Sequence, residues 1–224
     1  MLLRADLHIH STFSDGRASP SEILYIAGEK GLDVISITDH DTFAGSLIAH
    51  RYQSKIGGLP LVIIGVEVRC VEGDVLVYCE KEIDFPRRID LLLEKAHVES
   101  CLVVPAHPYD IVRLGIGDLI FNYKEWDAIE VWNASSTKGA NLKAIKAAQL
   151  LGKPGLANSD AHIPEEIGTS YTYIEVDELS QGSIMEAIRK GKVKPVYRSR
   201  PFNSVIKRAL WSVKHLVRGF MKKT

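Results

Sequence analysis

Histidine and acidic side chains recur in this sequence at spacings that suit metal binding. In Asp6-Leu7-His8-Ile9-His10, two histidines stand two residues apart, so in a strand they share a face. The other segments of this kind are Ser14-Asp15-Gly16, Thr38-Asp39-His40-Asp41, Gly65-Val66-Glu67, Ala106-His107-Pro108 and Ser159-Asp160-Ala161-His162. Imidazole nitrogen and carboxylate oxygen together suit Zn²⁺, Mn²⁺ or Fe²⁺. Clustered ions of these metals polarise a phosphoryl or acyl group and generate hydroxide near neutral pH, which points to metal-assisted hydrolysis.

Short apolar runs rich in β-branched residues alternate with helical patterns along the chain. Strands are predicted at 3–9, 34–38, 61–66, 101–105, 128–132, 155–157 and 171–176, with a further hairpin strand at 75–78. The first helix begins in the capping box Ser19-Pro20-Ser21-Glu22 and ends at Gly31, and others are predicted near 43–55, 86–98, 138–151 and 181–190. The alternation predicts an α/β fold with parallel strands and right-handed crossovers. Both a closed barrel and an open doubly wound sheet are consistent with it.

The candidate ligands follow the carboxyl ends of the predicted strands. A lone histidine in a strand is more often part of the core than a ligand, and one Asp-x-His is a weak signal. Here five of the eight histidines fall at strand ends, beside carboxylates. Burying so many ionisable groups without a cation is costly, so we predict a site with several metal ions. The remaining histidines, His50, His97 and His215, lie in helical stretches and are predicted to be structural.

Taken in order, these motifs resemble those of the PHP (polymerase and histidinol phosphatase) family of metal-dependent phosphoesterases. The resemblance extends over roughly residues 3–200. It implies a distorted seven-stranded (β/α)7 TIM-like barrel with two or three divalent metal ions, which are Mn, Zn or Fe. On this view residues 1–200 form the phosphoesterase barrel and residues 201–224 form a basic amphipathic C-terminal helix.

The resemblance also implies a ligand for each ion. The first ion would take His8, His10, Glu67 and Asp160, the second would share Glu67 and take His107, and the third would take Asp15, His40 and His162. Asp160, His40 and His162 are also implied to act in catalysis, the two histidines as groups that assist the leaving alkoxide. Asp6, Asp39 and Asp41 are implied to orient the imidazoles.

One ligand of the family pattern is absent from this chain. Many members carry a further histidine a few residues beyond the glutamate, but no histidine lies between Glu67 and His97. Asp74 either supplies a carboxylate to the second ion instead or is a turn residue after Gly73. Both interpretations stay open at the level of the sequence.

The expected function is hydrolysis of phosphate mono- or diesters, with nucleotides or short oligonucleotides as substrates and a metal-bridging hydroxide as nucleophile. Asn133 is either a pocket residue or a helix cap, and the loop cations Arg17, Arg113 and Lys138 are candidates to bind a further phosphate. The alternative is a non-catalytic PHP-fold module that recruits nucleic acid, a membrane or a protein through the tail. Hydrolysis of a C–N or C–O bond by the same metals is a third option.

The C-terminal tail differs in charge from the rest of the chain. Residues 192–224 carry ten of the 28 Lys and Arg residues and none of the 28 Asp and Glu residues. Ile206, Leu210, Val213, Val217 and Phe220 recur at helical spacing and define one apolar face. This pattern is consistent with docking on the barrel or on a second subunit, with an anionic membrane surface, and with a nucleic-acid backbone.

Composition narrows the class of protein. At 224 residues, 46% hydrophobic and 25% charged, the chain has a globular balance and no apolar run long enough to cross a membrane. No signal-peptide pattern opens the sequence. Cys70, Cys79 and Cys101 lack metal-ligand spacing, so we predict reduced thiols in a cytoplasmic protein, although three cysteines can also hold one bridge.

Overall fold

The computed structural model describes residues 1–221, with side chains described through residue 213. Its strands are β1 (Leu2–Ile9), β2 (Val34–Ile37), β3 (Leu61–Val62), β4 (Gly65–Arg69), β5 (Asp74–Tyr78), β6 (Leu102–Pro105), β7 (Ile129–Asn133), β8 (Gly155–Asn158), β9 (Tyr171–Glu175) and β10 (Val193–Val196). Its helices are α1 (Pro20–Glu29), α2 (Ala44–Gln53), α3 (Ile89–Val98), α4 (Lys138–Leu151), α5 (Gln181–Arg189) and α6 (Phe202–Met221).

The strands form three hydrogen-bonded sheets. The largest has the order β10-β9-β1-β2-β3, in which β1, β2 and β3 run parallel and β9 lies antiparallel to both of its neighbours. β4, β5 and β6 form an antiparallel sheet, and β7 pairs with β8 in parallel. Single parallel bridges, His40 with Glu67 and Ile9 with Ala161, join these sheets beside the predicted ligands.

The α/β class is confirmed, but a closed seven-stranded barrel is not, because the described strands make three separate sheets. The predicted strand 61–66 divides into β3 and β4, since the chain leaves the first sheet at Ile63 and Ile64. The chain passes so close to β2 at this point that only glycine fits at position 65, because a Cβ there would lie 2.4 Å from the Ser36 hydroxyl. β9 was expected to be parallel and is antiparallel, and β10 was not predicted.

A register shift in β1 separates Leu7 from Ile9 beside the candidate ligands. Strict alternation would place Ile9 on the same face as Leu7, yet the pairing with β2 shifts between Asp6 and Ile9. Leu7 packs in the core beneath the site, whereas Ile9 packs against Ile23 and Leu24 of α1. His8 and His10, two residues apart, both reach the cluster of candidate ligands.

The predicted helices are confirmed to within a few residues, and α4 has the predicted bounds. The capping box of α1 is present: Ser19 N–H donates to Glu22 Oε2 at 2.8 Å, and the Ser19 hydroxyl accepts from Glu22 N–H. α1 buries Ile23, Leu24 and Ala27 against the five-stranded sheet. The helix therefore fixes the far side of the strand that carries His8 and His10.

The prediction of three reduced cysteines is wrong. Cys79 and Cys101 form a disulfide, and Cys70 is a buried free thiol. The bridge follows from the antiparallel pairing of β5 with β6, which aligns Tyr78 with Leu102 and brings the adjoining cysteine Cα atoms to 4.5 Å. The sequence did not reveal that these two strands are neighbours.

Helix α6 contacts the body through polar side chains rather than through its apolar face. Ile206, Leu210 and Val213 are 52%, 68% and 62% exposed, so of the alternatives for this face, docking on the protein's own barrel is wrong for its described part. The side chains of Val217 and Phe220, and residues Lys222 and Lys223, lie outside the described part of the chain. Within that part, no helix is long and apolar enough to cross a membrane.

Candidate metal centre

The structure brings all nine candidate ligands into one cluster. They are His8 and His10 from β1, Asp15 from the next loop, His40 after β2, Glu67 in β4, Asp74 at the start of β5, His107 after β6, and Asp160 and His162 after β8. All except His8, which is fully buried, line a cavity of about 230 Å³. Eight of these nine lie within or directly after a strand, because the strand ends converge here.

Glu67 is the centre of the cluster. Its fully buried carboxylate lies 3.0 Å from His107 Nε2, 3.2 Å from His10 Nε2 and 3.3 Å from His8 Nε2. His40 Nδ1 is 3.2 Å from the same group. Four imidazoles thus surround one carboxylate, an arrangement suited to a carboxylate that bridges two cations.

Two further carboxylates, Asp160 and Asp15, lie close to the imidazoles of the cluster. Asp160 Oδ1 lies 3.3 Å from His162 Nδ1, 3.4 Å from His10 Nε2 and 3.8 Å from His8 Nε2. Asp15 Oδ2 lies 3.2 Å from His162 Nε2 and 3.9 Å from His40 Nε2. His10 therefore lies between two groups of donors.

The donor atoms fall into four groups whose members lie within 4.8 Å of one another. These groups are His8, His10 and Asp160; His8, Glu67 and His107; His10, Asp15, His40 and His162; and His40, Glu67 and Asp74. They overlap with the three ligand sets implied by the resemblance but are not identical to them. Glu67 groups with His8 and His107 and not with His10 and Asp160, His10 joins the third set, and Asp74 groups with His40 and Glu67. Asp74 is both the first residue after the Gly73 turn and part of the cluster.

The residues present fit divalent cations. His40 Nδ1, His107 Nδ1 and Asp74 Oδ1 are buried and make no hydrogen bond within the described chain. An orphaned buried polar atom is costly, and a cation would satisfy all three. Every donor in the set is a nitrogen or an oxygen, as expected for Zn²⁺, Mn²⁺ or Fe²⁺.

Residues that the sequence did not single out hold the imidazoles in place. Glu130, in β7, accepts a hydrogen bond from His8 Nδ1 at 3.0 Å and from His107 N–H at 2.6 Å. Asn133 and Asn158 donate to the two oxygens of Glu130 at 3.1 and 2.9 Å. Asn133 is thus neither a pocket residue nor a helix cap, since Thr137 caps α4. A lone acid within the apolar run of β7 is the signal that would have found Glu130.

The aspartates that were implied to orient imidazoles instead accept hydrogen bonds from other residues. Asp6 accepts from Ser159 N–H, the Ser159 hydroxyl and Gly168 N–H. Asp39 accepts from Ser11 and Ser14, and Asp41 accepts from Arg69 N–H and Arg87. Each of these carboxylates therefore braces a loop that carries a ligand, and none makes a hydrogen bond to an imidazole among the described residues.

Three arginines line the cavity, and only one of them was a candidate from the sequence. Arg113 pairs with Asp160, and Arg69 and Arg208 lie on the same cavity wall. Arg17 pairs instead with Glu165 at 2.8 Å, and Lys138 is exposed at the start of α4. The cavity is therefore lined by acids and imidazoles with arginines among them.

Metal uptake is expected to release protons. Burial alone would lower the pKa of His10, but hydrogen bonds to Asp160 and Glu67 and the charge of Asp15 raise it to about 10. His10 thus holds a proton at pH 7 in the metal-free protein, and an imidazole must lose that proton to bind a cation. We expect affinity for Mn²⁺ to rise between pH 6 and pH 8, by roughly tenfold per unit for each proton released.

Calorimetric titration of Mn²⁺ in buffers of different ionisation enthalpy measures this release directly. A His97→Gln variant is the control, since His97 lies on α3 outside the cluster and the variant should release the same number of protons. Binding heats that do not depend on the buffer, with an affinity constant across this range, would contradict the expectation.

Comparison with known proteins assigns the chain to a family. Residues 6–114 match the PHP domain and residues 138–193 match a PHP-associated region. An uncharacterized protein of Methanocaldococcus jannaschii is 31% identical over 150 residues, which are 61% of this chain and 85% of that protein. A 5'-3' exoribonuclease of Haemophilus influenzae is 43% identical over 68 residues, which are 30% of this chain and only 24% of that enzyme.

A solved structure has a similar fold. It is a two-domain protein of Bacteroides vulgatus described as containing a predicted PHP-like metal-dependent phosphoesterase, with a TM-score of 0.72 and 19% identity over 88% of this chain and 65% of that one. The two matched regions of this chain contain every ligand in the cluster. With its motifs in order and its donors gathered in one cavity, the chain belongs to the PHP family.

Proposed function

We propose that the protein hydrolyses phosphate mono- or diesters with the help of two or three divalent metal ions. The observation that carries this proposal is the convergence of nine residues with nitrogen and oxygen donors in one cluster around Glu67, eight of which line one cavity. Phosphoesterase chemistry is also what membership of the PHP family leads one to expect.

We assign the nine clustered residues to three proposed ligand sets. The sets are His8, His10, Glu67 and Asp160; Glu67, Asp74 and His107; and Asp15, His40 and His162. Divalent ions held there would neutralise charge on a phosphoryl group and supply hydroxide near neutral pH. The protein's own part is to hold these donors rigidly, which Glu130 does for His8 and His107.

The electrostatics favour a ligand role over a proton-donor role for His162. Burial and the charges of His10 and Arg208 lower its pKa to about 3, so the imidazole is neutral at pH 7. Burial likewise lowers the pKa of His40. The pKa of Asp160 lies well below its usual range: burial opposes ionisation, but the charges of Arg113 and His8 outweigh it. All three are therefore in the protonation state that a cation requires.

Nucleotides or short oligonucleotides are the proposed substrates. The match to the exoribonuclease of Haemophilus influenzae supports this class, as does a cavity of about 230 Å³ lined by three arginines. The proposed division into a barrel of residues 1–200 and a basic helix of residues 201–224 stays a prediction, as do contacts of the tail with nucleic acid or an anionic membrane. A cytoplasmic location also stays a prediction. Reduced cysteines no longer support it, because Cys79 and Cys101 form a disulfide.

The test measures metal content and turnover on the same sample. Protein purified without chelator or affinity metal is expected to hold two or three equivalents of Mn, Fe or Zn by elemental mass spectrometry. It should release p-nitrophenol from p-nitrophenyl phosphate or bis(p-nitrophenyl) phosphate, lose this activity with a chelator, and regain it with Mn²⁺. Well under one equivalent, unchanged after incubation with Mn²⁺, would exclude catalysis and favour the non-catalytic binding module.

A further inference from the structure

Helix α6 reaches into the metal centre from outside the matched family regions, the second of which ends at residue 193. Arg208 Nη1 donates to the Ser135 hydroxyl at 2.8 Å, to the Asp160 carbonyl at 3.0 Å and to Glu166 at 3.3 Å. One turn further on, Trp211 Nε1 donates to the carbonyl of Asp15 at 2.9 Å. Two residues of the cluster, Asp15 and Asp160, are thus held by their backbones from α6.

A second arginine approaches the same cavity from another element. Arg113 ends a short 3-10 turn, Ile111–Arg113, and its Nη1 pairs with Asp160 Oδ2. The side chains of Arg113 and Arg208 are 22% and 11% exposed, and both line the cavity that contains the ligands. Two guanidinium groups thus face one small, half-closed space.

The acids that balance these two groups are in part shared with other cations. Among the described residues, the acid paired with Arg208 is Glu166, which Arg200 shares at 3.2 Å. Arg113 pairs with Asp160 and, at 4.0 Å, with Asp110. Asp160 is itself a proposed ligand, so a bound cation would compete for the charge that balances Arg113. The pair would then carry surplus positive charge, which an anion in the cavity would neutralise.

Arg208 has donors left for such an anion. Within the described chain only its Nη1 makes hydrogen bonds, so Nε and Nη2 are free of protein partners. A guanidinium offers its donors in a fixed fork that matches phosphate geometry. Glu166 and Ser135 hold one side of that fork and leave the rest available.

We propose that Arg208 of α6 and Arg113 form an anion subsite that binds a doubly charged phosphate group of the substrate. This rests on the proposed function and deepens it. α6 is then part of the active site, and it sets a preference for phosphate monoesters and terminal phosphates over internal diesters. Arg208 is a specificity-determining residue in this arrangement.

The test compares Arg208→Gln with Lys207→Gln, a neighbouring exposed cation that pairs with Glu165. The first readout is calorimetric titration of inorganic phosphate into Mn²⁺-loaded protein. The second is kcat/KM for p-nitrophenyl phosphate, a dianion, and for bis(p-nitrophenyl) phosphate, a monoanion. Arg208→Gln should weaken phosphate binding and raise KM for the monoester by roughly tenfold or more, with the diester within about threefold of wild type. Lys207→Gln should match wild type in both.

Arg208→Lys separates charge from folding. It keeps the cation and should retain part of the phosphate affinity, with the same circular dichroism spectrum as wild type. Unchanged phosphate binding in Arg208→Gln would overturn the subsite. An equal loss of kcat/KM for both esters would also overturn it, because that result is expected of a residue that only holds Glu166 in place. A wild-type protein that hydrolyses neither ester contradicts the proposed function. The phosphate titration still tests the subsite in that case, because it measures binding and does not depend on turnover.

Discussion

Replacing Glu67 with glutamine is expected to lower phosphoester hydrolysis on the order of a thousandfold and to reduce bound metal by at least one equivalent. The carboxylate lies within 3.3 Å of four imidazole nitrogens, and it is the residue shared by the first two proposed ions. Glutamine has the same shape but offers one neutral oxygen in place of a charge. Elemental analysis and initial rates with p-nitrophenyl phosphate measure both effects.

Glu94→Gln provides the matched control for this change. Glu94 is exposed on α3, so the same substitution there should leave metal content and rate at wild-type values. Circular dichroism establishes that both variants are folded. Near-full activity in Glu67→Gln with its metal content intact would refute the central position given to this carboxylate.

Replacing Asp160 with asparagine is the second change with a large expected effect. Asp160 has a φ of +50°, a left-handed conformation that asparagine adopts more easily than most residues, so the backbone should be retained. The substitution removes the charge that faces His8, His10 and Arg113. We expect a loss in kcat/KM of roughly a hundredfold or more, with the circular dichroism spectrum of the folded protein retained.

Asp41→Asn is an unusually close control for Asp160→Asn. Asp41 has a φ of +58°, and its carboxylate pairs with Arg69 N–H and Arg87 rather than with a histidine. Both variants therefore make the same chemical change in the same backbone conformation. If Asp41→Asn were to lose as much activity as Asp160→Asn, the loss would result from disturbed loops and not from the removal of a metal ligand.

The candidate ligands could be identified from the sequence because their positions follow from local patterns. An apolar strand that ends in histidine or acid is visible in a few residues, and parallel strands bring such ends together. The register shift in β1 was not visible, and it accompanies the placement of Leu7 and Ile9 in different core clusters. Such a shift depends on the partner strand, which lies elsewhere in the chain.

The parts that were missed depend on contacts between distant segments. Glu130 looks like an ordinary strand residue until β7 lies beside β1, and the bridge of Cys79 with Cys101 needs β5 beside β6. The apolar residues of α6 do lie on one helix face, but the described part of that face is exposed and does not contact the body. Arg208 and Trp211, on the polar side, make the contacts with the body. Periodicity shows that a helix has two faces but not which one is bound.

The position of β1 has a consequence for the order of events during synthesis on the ribosome. β1 is a central strand, paired on one edge with β2 and on the other with β9, which is made much later. Until Tyr171–Glu175 leave the exit tunnel, that edge has no native partner, and Asp6 lacks its partners Ser159 and Gly168. An open edge on a nascent chain invites mispairing with other chains. The native pairing of β1 therefore cannot be completed until Tyr171–Glu175 have been made and have left the tunnel.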